Sequence, residues 1–261
     1  TTAEAATFAT GAGAVGLGVL SCGATPLTAG IAGATMAVYA GAYTPMKVRS
    51  PYNTHIGAVS GALPTAMGFA AALGTGLAAS PWATHAAWLF AMQALWQMPH
   101  FYALAWIHRA DYLRGGYTMF PLTDKTGLET VAMCKPYLVA LCALPCAASA
   151  AGLASWMLPV GAAVPSALWW GLLRRFEDQP NIANCRRFFL GSLSYLLATL
   201  ALFTAYARVE AEVEAETEAE AQTSREPAWR TAVAARLSEL CPHEQMKAEL
   251  FGLLSGSCPF G

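Results

Sequence analysis

The feature that most constrains this chain is a succession of apolar segments, each long enough to cross roughly 30 Å of hydrocarbon as a helix of about 20 residues. Seven can be marked out, at 3–24, 27–43, 54–77, 83–107, 129–149, 154–173 and 185–207. The connections between them alternate in charge. Three of them, SCGATP, AASPW and AGLASWMLP, carry none. The others hold Lys47 and Arg49; then Arg109, Asp111, Arg114, Asp124 and Lys125; then Arg174, Arg175, Glu177, Asp178, Arg186 and Arg187. A chain that reverses direction at every span shows this pattern, with its basic connections facing the matrix or cytoplasm. Hydrophobic residues make up 56% of the chain, charged residues 12%, and mean hydropathy is +0.41, which excludes an ordinary soluble domain. The expected fold is all-α, a polytopic transmembrane helix bundle over 1–207.

Composition changes sharply after Ala207. Residues 208–228 include glutamates at 210, 212, 214, 216, 218 and 220, a self-repelling linker. Residues 229–261 place Trp229, Val233, Leu237 and Leu240 at helical spacing, which predicts a short amphipathic helical tail of unassigned role. Seven cysteines are scattered without a C-x-x-C pair, so neither a disulfide framework nor a metal cluster follows. Neither a basic helix nor an arginine-rich arm suggests nucleic acid as a partner. Glycines at 11, 13, 16 and 18 in the first span, and at 57, 61 and 68 in the third, favour close helix packing. Pro64 and Pro99 each free a carbonyl one turn back, which a neighbour must answer.

The stretch WQMPHFYALAWIHRADYLRGGY (96–117) combines an apolar run with a histidine and a charged end. A helix continuing to Asp111 would put His100 and Asp111 on one face about 16 Å apart, the first at mid-membrane depth and the second at the mouth. An ionisable group at that depth is a functional candidate, although His100 bonded to a kink carbonyl would be purely structural. Trp96, Tyr102 and Trp106 make its surroundings aromatic. Lys47, Arg49, Arg109 and Arg114 would surround Asp111, either by obeying the positive-inside rule or by forming an anion site. Lysines and arginines beside an aspartate that could hold magnesium suit a diphosphate, and an apolar cavity behind them suits a hydrocarbon tail. The combination points to chemistry on a prenyl diphosphate.

Two segments, YTPMKVRSPYNTHIGAVSGALPTAMGF (43–69) and WQMPHFYALAWIHRADYLRGGYTMFPLTD (96–124), together with RRFFLGSLSYL (186–196), resemble the UbiA-type intramembrane prenyltransferases, and within them the protohaem farnesyltransferase (haem O synthase) branch. The resemblance covers residues 1–207. It implies a nine-helix bundle that holds farnesyl diphosphate with Mg²⁺ and transfers the farnesyl group to a vinyl group of haem B, the substrate, giving haem O. Lys47, Arg49 and Asn53 match one loop motif of that branch; His100, Arg109, Asp111, Tyr112 and Arg114 match the other. It implies His100, Asp111 and Arg109 as catalytic, Lys47, Arg49, Asn53, Trp96, Tyr112 and Arg114 as binding diphosphate or haem, and Asp111 as the magnesium contact through the diphosphate. Ala110 stands where members commonly carry a second acidic residue.

The seven spans would be family helices three to nine. The first two helices and the Asn/Asp-rich loop that follows them are then expected to precede this sequence in a longer protein, and diphosphate binding without them is expected to be weak. Competing readings are a prenyltransferase acting on a quinone or chlorophyll precursor, a non-catalytic haem-holding relative, and a transporter, which would show paired broken helices. The resemblance implies the mitochondrial inner membrane, with the bacterial cytoplasmic membrane as the alternative, and a haem A synthase as downstream partner. Charged loops in the matrix put the acidic segment in the intermembrane space. Protease added to mitoplasts should therefore remove residues after Ala207, and survival of that segment would overturn the orientation.

Overall fold

A computed structural model describes residues 1–73, 80 and 82–208. The acidic linker, the terminal amphipathic segment and the end of the third span lie outside the described residues. Thr1–Arg208 forms one compact unit of helices. These are α1 (Thr2–Gly23), α2 (Pro26–Ala37) running through a π-helical segment (Val38–Tyr43) into α3 (Thr44–Met46), α4 (Asn53–Leu73), α5 (Ala83–Ile107), α6 (Arg109–Arg114), α7 (Leu128–Ala150), α8 (Met157–Asp178) and α9 (Ile182–Tyr206). Each expected span corresponds to a helix. Thr2–Gly23, Asn53–Leu73, Leu128–Ala150 and Ile182–Tyr206 are long and apolar enough to cross a membrane by composition alone. α8 continues past the expected end at 173 to Asp178, because Arg174, Arg175, Glu177 and Asp178 end the apolar run without breaking the backbone ladder.

α5 is the hub, packed against α4, α7 and α9. Its side chains Trp88, Met92, Trp96, Tyr102 and Trp106 are buried. Buried indoles need an acceptor for their N–H, and in an apolar bundle the available acceptors are carbonyls of neighbouring elements. Trp88 donates to Leu144 O (3.0 Å), Trp96 to Ser192 O (2.8 Å) and Trp106 to Asp124 O (3.1 Å), while Trp169 on α8 donates to Phe188 O (3.1 Å). Pro145 within α7 cannot bond the carbonyl four residues back, and the Tyr195 hydroxyl donates to that Leu141 oxygen instead (3.3 Å). This is the compensation expected for membrane prolines. The helices around Pro64 and Pro99 continue unbroken.

Small residues allow close approach in only part of the bundle. A side chain at Gly61 would run into the Gln97 amide, which donates to Ala58 O (3.2 Å) and Gln93 O (3.1 Å). The expectation fails for α1, which buries no residue: a side chain begun at Gly11, Gly16 or Gly18 would meet no other element within 4 Å, and only at Gly13 would it be crowded, by Met36. Gly68 is likewise open.

Asp124, which the charge pattern grouped with the mouth residues, is only 2% exposed. Its Oδ1 accepts from Thr126 N (2.9 Å), Thr126 Oγ1 (3.0 Å) and Gly127 N (2.7 Å), and its Oδ2 from Thr130 N (2.8 Å) and Thr130 Oγ1 (2.7 Å). It thereby answers the free amides at the start of α7, while its own carbonyl receives Trp106 from α5. Gly127 has φ +87°, and its missing side chain admits the rings of Phe176 and Trp106. Burial works against ionisation of Asp124, but the bonds from Thr130, Gly127 and Thr126 outweigh it and hold the carboxyl below the usual carboxylate range. Because the folded value lies below the unfolded one, this stabilisation is fully present above the ordinary value near 4 and is lost as pH falls from there through the lower folded value. Thermal unfolding in detergent should show that acid-side loss. Asp124→Asn should weaken the fold by about 3 kcal/mol at neutral pH and flatten the acid dependence.

Candidate functional site: the loop mouth and the histidine behind it

α5 stops at Ile107, not at Asp111. His108 (φ −103°, ψ 20°) turns the chain and α6 begins at Arg109, so the expected shared face of His100 and Asp111 on one continuous helix is not formed. The end of α6 explains the Gly-Gly pair. Tyr117 N donates to Tyr112 O (3.0 Å) and Gly116 N to Leu113 O (3.1 Å), with Gly116 at φ +72°, which together make a Schellman motif. The hydrophobic contact of that motif is the edge-to-face pair Tyr112–Tyr117, 5.6 Å between centroids.

The next residue locks this loop to the one after α3. Thr118 N (2.7 Å) and Thr118 Oγ1 (3.2 Å) donate to the Lys47 carbonyl. Asn53, buried at the start of α4, donates through its amide nitrogen to Thr118 O (2.5 Å) and Ser50 O (2.7 Å). The sequence pointed to Asn53 as a ligand-binding residue; its nitrogen is spent on the clamp.

The clamped loops enclose a pocket of about 120 Å³ lined by Tyr43, Lys47, Asn53, Phe101, Tyr112, Tyr117 and Met119. Lys47 is the cation among these residues. Its ammonium lies 4.5 Å from the Tyr43 ring centroid and 5.4 Å from that of Tyr39. In an α-helix, positions four apart advance slightly around the axis. The wider turn of the π segment makes Tyr39 to Tyr43 lag instead, which offsets the advance from Tyr43 to Lys47 and leaves all three on one face. Gly57 on α4 gives the Tyr43 ring its place, since a side chain there would meet that ring at 2.8 Å. Burial first, and then the neighbouring Tyr117, hold the Tyr112 phenol above its ordinary range, so it remains a neutral donor.

The remaining mouth residues have other partners. Asp111 pairs with the exposed Arg114, and His108 Nδ1 lies 3.8 Å away. Arg109 lays its guanidinium over the Trp106 ring at 4.8 Å and donates to Trp106 O (3.3 Å). Arg49 is exposed. The four cations therefore do not converge on Asp111. Among the described residues there is also no group of three or more His, Cys, Asp or Glu side chains fit to hold a metal. Asp111 offers one carboxylate already engaged by Arg114, and the oxygens of Asp124 are saturated, so these residues do not build a magnesium site by themselves.

Behind the pocket, Phe101 meets His100 edge-on at 5.5 Å. The His100 ring is stacked between Trp96 (4.7 Å, 25°) and Phe189 of α9 (4.5 Å, 28°), and its Nδ1 lies 2.7 Å from Ser192 Oγ. The sequence reading missed Tyr43, Phe101, Tyr117 and Ser192. Tyr43 stands one helical turn before Lys47, and Tyr117 completes the Y-L-R-G-G-Y spacing of a Schellman turn. Those two could have been found.

Residues 1–210 match the UbiA prenyltransferase family. The chain belongs to that family. Among curated relatives, a protoheme IX farnesyltransferase of Solibacter usitatus is 40% identical over 140 residues, 54% of this chain and 46% of its own length. A mitochondrial protoheme IX farnesyltransferase of Homo sapiens is 35% identical over 204 residues, 78% of this chain and 44% of its own. The chain thus spans about half the length of the relatives it matches. A solved structure of digeranylgeranylglyceryl phosphate synthase superposes with a TM-score of 0.60 at 16% identity, over 78% of this chain and 69% of that one, and shows the same fold.

Gly116→Val should cost roughly 1–2 kcal/mol locally, because only glycine adopts its left-handed conformation freely. Limited proteolysis should then cut faster between Arg114 and Met119 while the thermal midpoint of the bundle changes little.

Proposed function

We propose that this chain carries the mouth and acceptor side of a protohaem IX farnesyltransferase. The supporting observation is the junction at Phe101: a small, tyrosine-walled pocket with one caged ammonium abuts, through that ring, a histidine held in an aromatic sandwich. The names of the relatives, bacterial and mitochondrial, agree with it.

The cation–π hold on Lys47 is worth roughly 1 kcal/mol or less at a half-exposed site, so a diphosphate can draw the ammonium toward itself. The neutral Tyr112 phenol donates to the same oxygens. Departure of diphosphate takes the electron pair of the C1–O bond; the vinyl π pair of haem B then forms the bond to farnesyl C1. Water adds to the resulting cation and gives up a proton, which completes haem O. Trp96 and Phe189, stacked on His100, keep its surroundings aromatic and apolar, which limits competing water. Magnesium would arrive on the diphosphate as part of the substrate, where Asp111, on leaving Arg114, could meet it as one ligand. The membrane we assign is the mitochondrial inner membrane, with the basic loops in the matrix, and a haem A synthase would take up the product.

The test is haem O formation from haem B and farnesyl diphosphate by the protein in its native membrane. Lys47→Ala should lower the rate by about a hundredfold, the scale for losing one aligned electrostatic donor. Normal haem O output from both His100→Ala and Asp111→Ala, at normal protein level, would overturn the assignment. Product from an aromatic acid and none from haem would transfer the site to the quinone-precursor class.

A further inference from the structure

The hydrogen bonds at Ser192 determine which nitrogen of His100 carries its proton. Ser192 Oγ lies 2.5 Å from the carbonyl oxygen of Phe189, three residues earlier on α9. Two oxygens approach that closely only with a hydrogen between them, and a carbonyl has none to give. The single hydroxyl hydrogen of Ser192 is therefore directed at Phe189 O. The same oxygen lies 2.7 Å from His100 Nδ1, so it can only accept there, and Nδ1 must be the protonated nitrogen. In the neutral ring, Nε2 then carries the lone pair.

The surroundings leave the ring little freedom to escape this arrangement. Trp96 and Phe189 stack on its two faces, and the Trp96 indole donates to the Ser192 carbonyl, so α5 and α9 are joined by two hydrogen bonds at one residue. Ser192 itself is fully buried, so solvent does not compete for its hydroxyl. A ring flip would put a carbon against Ser192 Oγ and lose the bond.

We infer that Ser192 is a positioning residue that fixes His100 as the Nδ1–H tautomer, so that whatever occupies the acceptor side meets the Nε2 lone pair and never an N–H. On the reading proposed above, this makes His100 an acceptor. It takes the proton released when water captures the cation, or ligates the haem iron, and it cannot donate to the substrate. The tautomer itself does not depend on haem being the acceptor.

The decisive measurement is nitrogen NMR of the full chain labelled with ¹⁵N-histidine in lipid, without substrate. The His100 signals are identified by their loss in His100→Gln. Wild type should show a protonated, pyrrole-type Nδ1 and an unprotonated, pyridine-type Nε2. Ser192→Ala, which removes one oxygen and should leave helicity unchanged, should yield a mixture of both tautomers. A pyridine-type Nδ1 in wild type, or an unaltered spectrum in Ser192→Ala, overturns the inference. In the haem assay Ser192→Ala should lower kcat with KM nearly unchanged. A chain with the stated tautomer that turns over no haem sinks the acceptor reading alone and leaves the role of Ser192 standing.

Discussion

The mouth depends on the pairing of Thr118 with the carbonyl of Lys47. Two loops from different parts of the chain meet here, and although Tyr52 of the first touches Phe120 of the second edge-on at 5.2 Å, the backbone between them is joined at Thr118. Thr118 ties them by main-chain and hydroxyl donation, and Asn53 closes the other side of the same residue. Fixing the Lys47 backbone in this way leaves its ammonium free to move between tyrosine rings and a ligand.

Most of the architecture was legible because hydrocarbon enforces long, uninterrupted helices and confines charge to alternate turns. Among the described residues, helix limits agreed within a few residues except at α8, where hydropathy and backbone pairing end at different places. The break at His108 carried no such signal: neither glycine nor proline marks it. The Schellman turn was present in the letters of Y-L-R-G-G-Y.

The site was less legible than the fold, for a physical reason. Charge in a sequence shows which side of the membrane a residue occupies, but not which partner satisfies it. Asp111, Arg109 and Lys47 all belong to the mouth, yet they pair with Arg114, Trp106 and two tyrosines respectively. Asp124 counted in the sequence only as one more charge of its connection, and it is the buried fastening between α5 and α7. Ser192 is one small polar residue in an apolar helix, and its importance comes only from what stands opposite it.

The π-helical segment ahead of Lys47 has a consequence for how such a protein can change. A helix that buries one stripe fixes the angular phase of everything after it, so the direction of a residue at its end is dictated by packing near its start. One widened turn amounts to an inserted residue, a phase shift of roughly 100°. It uncouples the two demands: α2 can keep the stripe that seats it against α4, while the segment after Val38 aims its tyrosines and lysine independently. Ordinary substitutions on either side can then be selected separately, whereas tightening Val38 to Tyr43 to the regular pitch without losing a residue would swing Lys47 by about that angle, away from the loop that it meets.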